Sequence, residues 1–293
     1  MPLLKTLYKN YNNKITIVTD KANKARDVFK REKFIKRIIY CNFNRGAILE
    51  KFCRFIELKR IIDALKVDIL ILTNPSKRLV LPVFFSNAKN KIYLEVKWNY
   101  FFFTKQKNWY KKNLAIHLKN LIYYLKLKNP DFSYKLDNSW KIICKNKNLK
   151  KRSIFISLDS HFNHNNWDIN NFIKILDSIK NKTIFINTSP SHFDIFRKYL
   201  IKYKNKKNIK ITSNFSLNKL IQTISCCEII IGNESGPVCI GAALNKKVLS
   251  IYNDKTSKPE SKIISKKIKY FNTSKLNTTK IINAINKYII KNS

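Results

Sequence analysis

The chain has 293 residues, which is enough for two domains of roughly 150 residues each. Its 59 Lys and Arg outnumber its 18 Asp and Glu, which gives a formal net charge of +41. Such a charge attracts polyanions and is typical of proteins that bind nucleic acid or an anionic membrane surface. The basic residues are nevertheless spread from end to end among many Asn and Ile, without a basic tail or block. This pattern favours a compositional bias, with weak attraction to anionic lipid or phosphate as a by-product, and no nucleic-acid partner is expected.

Cysteine usage and hydropathy bear on the compartment. The six cysteines, at positions 41, 53, 144, 226, 227 and 239, include no CxxC pair and no Cys/His cluster with metal-ligand spacing. We expect free thiols in a reducing cytosol, and neither a metal nor another cofactor. The first apolar stretches are too short and broken for a signal peptide, and no run of about 18 apolar residues occurs, so we expect a cytoplasmic protein. The aromatic run at residues 98–103 is too short to span a bilayer, and a buried strand or loop is favoured for it over contact with lipid.

The N-terminal half alternates between β-branched runs and helical periodicity. Strands are predicted at residues 14–19, 35–40 and 67–72, and helices at residues 22–33, 52–65 and 114–127. Strands that alternate with helices are typical of a parallel α/β sheet. The Lys- and Asn-rich stretch 129–152 contains Pro130 and is predicted to be a linker. The predicted domains are therefore residues 1–140 and 151–293.

The same alternation restarts after the linker. Strands are predicted at residues 153–158, 183–187, 209–211, 228–231 and 247–252, and helices at residues 169–179, 191–203, 216–225, 238–244 and 280–290. Two successive α/β units imply two open sheets that face one another, and ligands of such sheets bind beyond the carboxyl ends of the strands. The last helix is free to pack back on the first domain.

The segment 231–244, which reads IGNESGPVCIGAAL, is the strongest candidate site. A buried strand leads into a turn, and a helix then begins near Ser235. Gly236 lets a ligand approach the backbone closely, and Pro237 suits a first helical turn. The free N–H groups and the positive end of the helix dipole form an anion site that fits a diphosphate, and Glu234 is placed to accept hydrogen bonds from sugar or ribose hydroxyls. The alternative is an ordinary strand-turn-helix with a capped helix.

This segment resembles the donor-site motif of the ADP-heptose:lipopolysaccharide heptosyltransferases, glycosyltransferase family 9. The family pattern is roughly N-D-S/T-G-P-x-H-x-A-A-A-L. The residues that match it in register are Asn233, Ser235, Gly236, Pro237, Ala242, Ala243 and Leu244. Residues 153–167 resemble the second donor loop of the family, residues 215–220 the segment before the donor strand, and residues 67–78 the acceptor-side strand.

The resemblance implies an α/β protein with the GT-B fold, in which two Rossmann-like doubly wound domains face each other across a cleft. The N-terminal domain would bind the acceptor and the C-terminal domain the nucleotide-sugar donor. The implied donor-binding residues are Ser157, His161, Asn165, Glu234, Ser235, Gly236, Pro237 and Cys239. The implied acceptor-side residues are Asn74, Ser76, Lys77 and Arg78.

The chain departs from the family pattern at three places. The first strand and the Gly-Asp loop, whose Asp is the implied base, are missing, so either the true reading frame is longer or the chain is a truncated copy. The catalytic base is therefore unknown, and Asp20, which follows a predicted strand, is better explained as a turn or cap residue. Glu234 replaces the family Asp, and Cys239 replaces its His. Asn165 stands where a Lys is common, and His161 could substitute for that Lys only when protonated.

The expected function is heptosyltransferase-like transfer of a sugar from a nucleotide-sugar, with an ADP-sugar favoured, to a lipid-linked glycan such as the lipopolysaccharide core. The resemblance implies an inverting, metal-independent reaction, and no Asp-x-Asp metal motif occurs in the sequence. The basic surface would suit peripheral contact with the anionic inner face of the inner membrane. A catalytically inactive or truncated homologue that acts as a binding protein is the alternative, and a basic nucleic-acid-binding protein is less favoured.

Overall fold

The structure is a computed structural model that describes most of the chain. The described residues are 2–20, 25–29, 31–41, 48–73, 77–93, 121–123, 125–130, 153–160, 167–253, 267–275 and 277–291. No helix in this part of the chain is both long and apolar enough to cross a bilayer.

The described residues of the N-terminal half include four short strands that form two parallel pairs. Its strands are β1 (Ile15–Asp20), β2 (Ile35–Cys41), β3 (Ile69–Leu72) and β4 (Asn90–Tyr93), and its helices are α1 (Pro2–Tyr11), α2 (Ala25–Phe29), α3 (Ile48–Leu65) and α4 (Lys77–Phe84). β1 pairs with β2, and β3 pairs with β4. A parallel pair needs a crossover connection, usually helical, and α2 and α4 lie within these crossovers. The strands predicted at residues 14–19, 35–40 and 67–72 are confirmed, whereas the helix predicted at 22–33 is shorter. Of the helix predicted at 114–127, the structure describes residues 121–123 as helical.

The core of this half lies between the strands and the helices α3 and α4. Leu58 and Ile62 are buried one helical turn apart on α3, and they pack in one cluster with Val80 and Val83 of α4. This spacing is the amphipathic pattern that predicted α3.

The C-terminal half is a single six-stranded sheet with its helices. The strands are β5 (Ser153–Ser157), β6 (Thr183–Asn187), β7 (Ile209–Thr212), β8 (Ile229–Asn233), β9 (Lys247–Tyr252) and β10 (Ile268–Asn272), and the helices are α5 (Ile169–Ser178), α6 (Pro190–Leu200), α7 (Leu217–Cys226), α8 (Gly236–Ala243) and α9 (Thr278–Lys291). The five predicted strands and five predicted helices of this half are confirmed, and β10 is an additional strand. Ser216 caps α7 by accepting a hydrogen bond from the backbone N–H of Lys219.

The order of the strands places a ligand crevice in this sheet. The order is β10-β9-β8-β5-β6-β7, and all neighbours are parallel. The chain winds outward in one direction from β5 to β7 and then returns to β8 on the other side of β5. Because the connections diverge between β5 and β8, a crevice opens beyond the carboxyl ends of these two strands. Both strands are buried along their whole length, as expected when helices cover both faces of a parallel sheet.

The last helix, α9, packs on this same domain. Ile281 and Ile285 are fully buried in the cluster that contains the α5 side chains, and the Ser178 hydroxyl donates to Asn286 Oδ1 over 2.9 Å. Among the described residues, the apolar face of α9 therefore lies on the C-terminal domain and not on the first one. The first domain contributes Val28 of α2, which packs against the core cluster around α7.

Candidate functional site

The two strands at the centre of the C-terminal sheet end side by side at the crevice. Ser157 is the last residue of β5 and is aligned with Gly232 of β8. The Ser157 hydroxyl lies 3.3 Å from the hydroxyl of Ser235. Two of the predicted donor-binding residues, from positions far apart in the sequence, are therefore in contact at the strand ends.

Three glycines of this region serve different purposes. A Cβ added to Gly232 would lie 2.5 Å from the Ser157 carbonyl oxygen, and one added to Gly241 would lie 2.8 Å from Ile230 Cγ1. Gly232 and Gly241 therefore permit close strand and helix packing. A Cβ at Gly236 would meet nothing within 4 Å, and Gly236 does not adopt a positive φ. The fold has no steric or conformational need for glycine at position 236, and the space beside it is open.

The helix α8 starts at this open space. Ser235 is its N-cap residue, but its side chain makes no capping hydrogen bond. Pro237 lies in the first turn, where a backbone N–H would have no partner within the helix, so the missing N–H of proline costs no helical hydrogen bond. The N–H groups of a first turn have no partner within their own helix, and they carry the positive end of the helix dipole. The arrangement thus presents backbone N–H groups, the Ser235 hydroxyl and an uncrowded glycine to an anion, with the buried Ser157 hydroxyl beside that of Ser235.

Asn233 links the two loops that border the crevice. Its fully buried side chain accepts a hydrogen bond from the Trp167 backbone N–H over 2.9 Å and donates another to the Leu158 carbonyl. Trp167 is itself buried, with its ring edge-on to Phe172 at a centroid distance of 5.2 Å. Asn233 matches the family motif but is not among the predicted binding residues, and the structure shows that it holds the loop after β5 against the end of β8.

A second polar cluster at the same sheet edge was not predicted. The carboxylate of Asp159, two residues beyond β5, is buried. Asp159 Oδ2 accepts hydrogen bonds from the Ser189 N–H over 2.8 Å and from the Thr188 hydroxyl over 3.3 Å. It also lies 2.9 Å from His192 Nδ1. Because Asp159 follows β5 and His192 lies in the first turn of α6, this cluster joins the loop after β5 to the segment after β6. The sequence signal was an acidic residue at a strand exit, although its partners are identified only by the tertiary structure.

The Cys239 thiol is largely buried, and the Glu234 carboxylate lies near enough to act on it electrostatically. Burial, and then the nearby negative charge of Glu234, raise the pKa of Cys239 to about 11. The thiol is therefore neutral at physiological pH and is a weak hydrogen-bond donor. The Glu234 backbone N–H is held by the Ile251 carbonyl over 3.0 Å, which fixes the start of the turn between β8 and α8.

The structure describes two of the six remaining predicted site residues, Lys77 and Arg78. His161, Asn165, Asn74 and Ser76 lie outside the described residues. Lys77 and Arg78 are the first two residues of α4, which follows β3. Among the residues that the structure describes, no group of three or more His, Cys, Asp or Glu could hold a metal ion.

Comparison with known protein families identifies the chain. Residues 88–288 match the family model "Glycosyltransferase family 9 (heptosyltransferase)". The chain belongs to glycosyltransferase family 9. A sequence comparison with curated proteins finds no match.

Solved structures of this enzyme family have the same fold as the chain. A family 9 glycosyltransferase from Veillonella parvula superposes with a TM-score of 0.75 at 18% identity, over 98% of this chain and 84% of the other. ADP-heptose lipopolysaccharide heptosyltransferase II of E. coli superposes with a TM-score of 0.71 at 14% identity, over 99% of this chain and 94% of the other. E. coli heptosyltransferase WaaC with ADP superposes with a TM-score of 0.71 at 12% identity, over 100% of this chain and 94% of the other. This family 9 protein is therefore a glycosyltransferase with the GT-B fold, as the sequence analysis predicted.

Proposed function

We propose that this family 9 protein transfers a sugar from a nucleotide-sugar donor, with ADP-heptose as the first candidate, to the lipopolysaccharide core or a related cell-surface glycan. The reaction proposed is inverting and independent of metal ions. The donor would occupy the crevice of the C-terminal domain, and a lipid-linked acceptor would bind the N-terminal domain at the cytoplasmic face of the inner membrane. Two structural relatives are E. coli heptosyltransferases, one of them with bound ADP, which makes ADP-heptose the first donor to test.

The observation that carries the proposal is the open space beside Gly236. Neither crowding nor backbone conformation demands a glycine there, whereas close approach of a diphosphate to the first turn of α8 would. In this arrangement the N–H groups at the start of α8 stabilise the departing diphosphate, and they need not reorganise as negative charge develops. The hydroxyls of Ser157 and Ser235, 3.3 Å apart at the same point, add neutral donors.

Glu234 and the Asp159–His192 cluster are proposed to recognise hydroxyl groups of the donor. The Glu234 carboxylate is an acceptor next to the anion site, so it suits a sugar or ribose hydroxyl better than a phosphate. Asp159 holds His192 through Nδ1, which leaves the other ring nitrogen for an outside partner. A Cys in place of the family His at position 239 removes a charged donor, and donor contacts here therefore depend more on backbone N–H groups.

The binding step is tested by calorimetric titration with ADP-sugars and UDP-sugars. We expect the parent protein to bind one of these donors at micromolar concentration and Glu234→Ala to lose that binding. Glu228→Ala is the matched control, because Glu228 lies just before β8, at the opposite end of the strand, where it pairs with Lys247 over 3.1 Å. Absence of binding by a folded parent protein, or equal loss in both variants, would contradict the proposed donor site.

The alternative is a homologue that binds the donor without transferring the sugar. Its supporting observation is the neutral thiol of Cys239, which replaces a family His. Transfer to a heptose-deficient lipopolysaccharide acceptor, measured with and without a chelator, separates the two functions. Product formation that is unchanged by the chelator supports the proposed reaction, and donor binding without product supports the alternative.

A further inference from the structure

Four phenylalanine rings form a continuous row on the surface of the first domain. Phe52 and Phe55 of α3 stack at a centroid distance of 6.4 Å. Phe55 meets the ring of Phe85 edge-on at 6.1 Å, and Phe85 meets Phe84 in the same manner at 5.1 Å. The exposed fraction is 62% for Phe52 and 54% for Phe85. We refer to these four residues as the phenylalanine row.

Aliphatic side chains extend the apolar surface around the row. Leu49, one turn before Phe52 on α3, is 79% exposed, and Leu81 of α4 is also exposed. Single exposed apolar side chains are normal on a soluble protein, whereas a contiguous patch marks an interaction site. The phenylalanine row joins two helices through ring contacts and is therefore a contiguous patch of the type that marks an interaction site.

The patch begins on the helix that follows the β1–β2 strand pair. α3 follows β2, whose last residue, Cys41, is aligned with Asp20 at the end of β1. Burial, and then the carboxylates of Glu57 and Asp20, raise the pKa of the Cys41 thiol to about 11. Because α3 follows β2, its first turns, which carry Leu49 and Phe52, come after the carboxyl end of that strand in the sequence. Ligands of parallel α/β sheets bind beyond the carboxyl ends of the strands.

The charge of the protein identifies the chemistry of the partner. The chain carries a net charge of +41, and α3 itself exposes Lys51 and Arg60 along with Glu50 and Glu57, so the attraction comes from the whole protein and not from this helix. Long-range attraction brings such a surface to an anionic bilayer, and exposed aromatic side chains then enter the boundary between headgroups and acyl chains. Charge alone would not fix the orientation of the protein on the bilayer, whereas the phenylalanine row selects the face that contacts the lipid.

We infer that the phenylalanine row inserts into the surface of an anionic phospholipid bilayer and so presents the N-terminal domain to an acceptor anchored in that bilayer. The nature of the acceptor rests on the proposed function, whereas the contact with lipid does not. The row acts as a shallow anchor, with the rings of Phe52 and Phe85 entering the bilayer first because they are the most exposed.

Vesicle flotation tests this anchor with the full chain. The parent protein is expected to bind vesicles of phosphatidylethanolamine and phosphatidylglycerol, and to bind phosphatidylcholine vesicles much more weakly. Replacing both Phe52 and Phe85 by Ser should weaken binding to the anionic vesicles at least about tenfold, since burial of one large apolar side chain is worth a factor of this size. Both side chains are exposed, so the fold and the nucleotide-sugar affinity of this variant in solution should be unchanged.

A double Ile195→Ser and Ile201→Ser variant provides the matched control. These two side chains of the C-terminal domain are 57% and 66% exposed, so the control removes a similar apolar area. We expect it to bind vesicles like the parent. Failure of the parent to bind, equal binding to both vesicle types, or equal effects of the two double variants would overturn the inference. A dimer in sedimentation that only the phenylalanine variant abolishes would overturn it too, because a second copy would then cover the row.

These measurements separate the anchor from the proposed transfer reaction. Vesicle binding that depends on the row in a protein without nucleotide-sugar affinity would remove the proposed function and leave the anchor in place. Donor binding by a protein that does not bind vesicles would remove the anchor and leave the proposed function in place.

Discussion

Replacement of Asn233 by alanine removes a side chain that joins the loop after β5 to the end of β8. Two hydrogen bonds are lost, and both partners, the Trp167 N–H and the Leu158 carbonyl, belong to buried residues. A buried polar group left without a partner costs about 1–3 kcal/mol, so the two together are expected to lower the free energy of unfolding by about 4 kcal/mol. This is a large share of the roughly 5–15 kcal/mol that stabilises a typical protein.

Urea unfolding followed by circular dichroism measures this loss through the midpoint and the slope of the transition. The matched control is Asn187→Ala. Asn187 ends the strand β6 and is only half-buried, and its side chain accepts a long hydrogen bond of 3.4 Å from the Thr212 hydroxyl. We expect the control to cost less than about 1 kcal/mol. Equal losses in the two variants, at unchanged slopes, would refute the role given to Asn233.

Three further predictions concern the crevice. Gly236→Ala should weaken nucleotide-sugar binding by about tenfold at an unchanged melting temperature, whereas Gly241→Ala should lower the melting temperature, because only the second adds a methyl group to a filled space. At pH 8, Cys239 should react with iodoacetamide roughly 100-fold more slowly than an unperturbed thiol, since a pKa raised from 9.0 to about 11 lowers the thiolate fraction by that factor. Glu234→Gln should accelerate this reaction, which peptide mass spectrometry measures. An unchanged rate in that variant would show that the Glu234 carboxylate does not act on the thiol. Asp159→Asn should reduce donor affinity while the protein stays folded, which calorimetry and thermal unfolding check together, and an unaltered affinity would exclude the cluster from the donor site.

The fold was largely predictable because burial patterns are local. β5 and β8 are covered on both faces, so their sequences are continuous apolar runs that no surface segment would carry. The helix α3 shows its buried face at intervals of four residues, as Leu58 and Ile62 illustrate. The strand β10 was missed because it alternates Lys and Asn with apolar residues next to a long polar stretch, and only its pairing with β9 distinguishes it from a loop.

The site was predictable only where one short segment contains it. The turn between β8 and α8 lies within a single motif, so Ser235, Gly236 and Pro237 could be identified from sequence. The contacts of Asp159 with His192 and of Asn233 with Trp167 span 33 and 66 residues. Such pairs depend on which strand ends meet at the sheet edge, and no local sequence pattern predicts the order of the strands.

The close approach of β5 and β8 limits how the specificity of this transferase can change. A side chain at position 232 would collide with the backbone of Ser157 at 2.5 Å, so the floor of the crevice cannot be reshaped by substitution there. New donor preferences must arise in the walls, where loops after β5, β6 and β8 meet and where position 236 has free space. A library aimed at other nucleotide-sugars should therefore vary positions 159, 192 and 234 and keep glycine at 232.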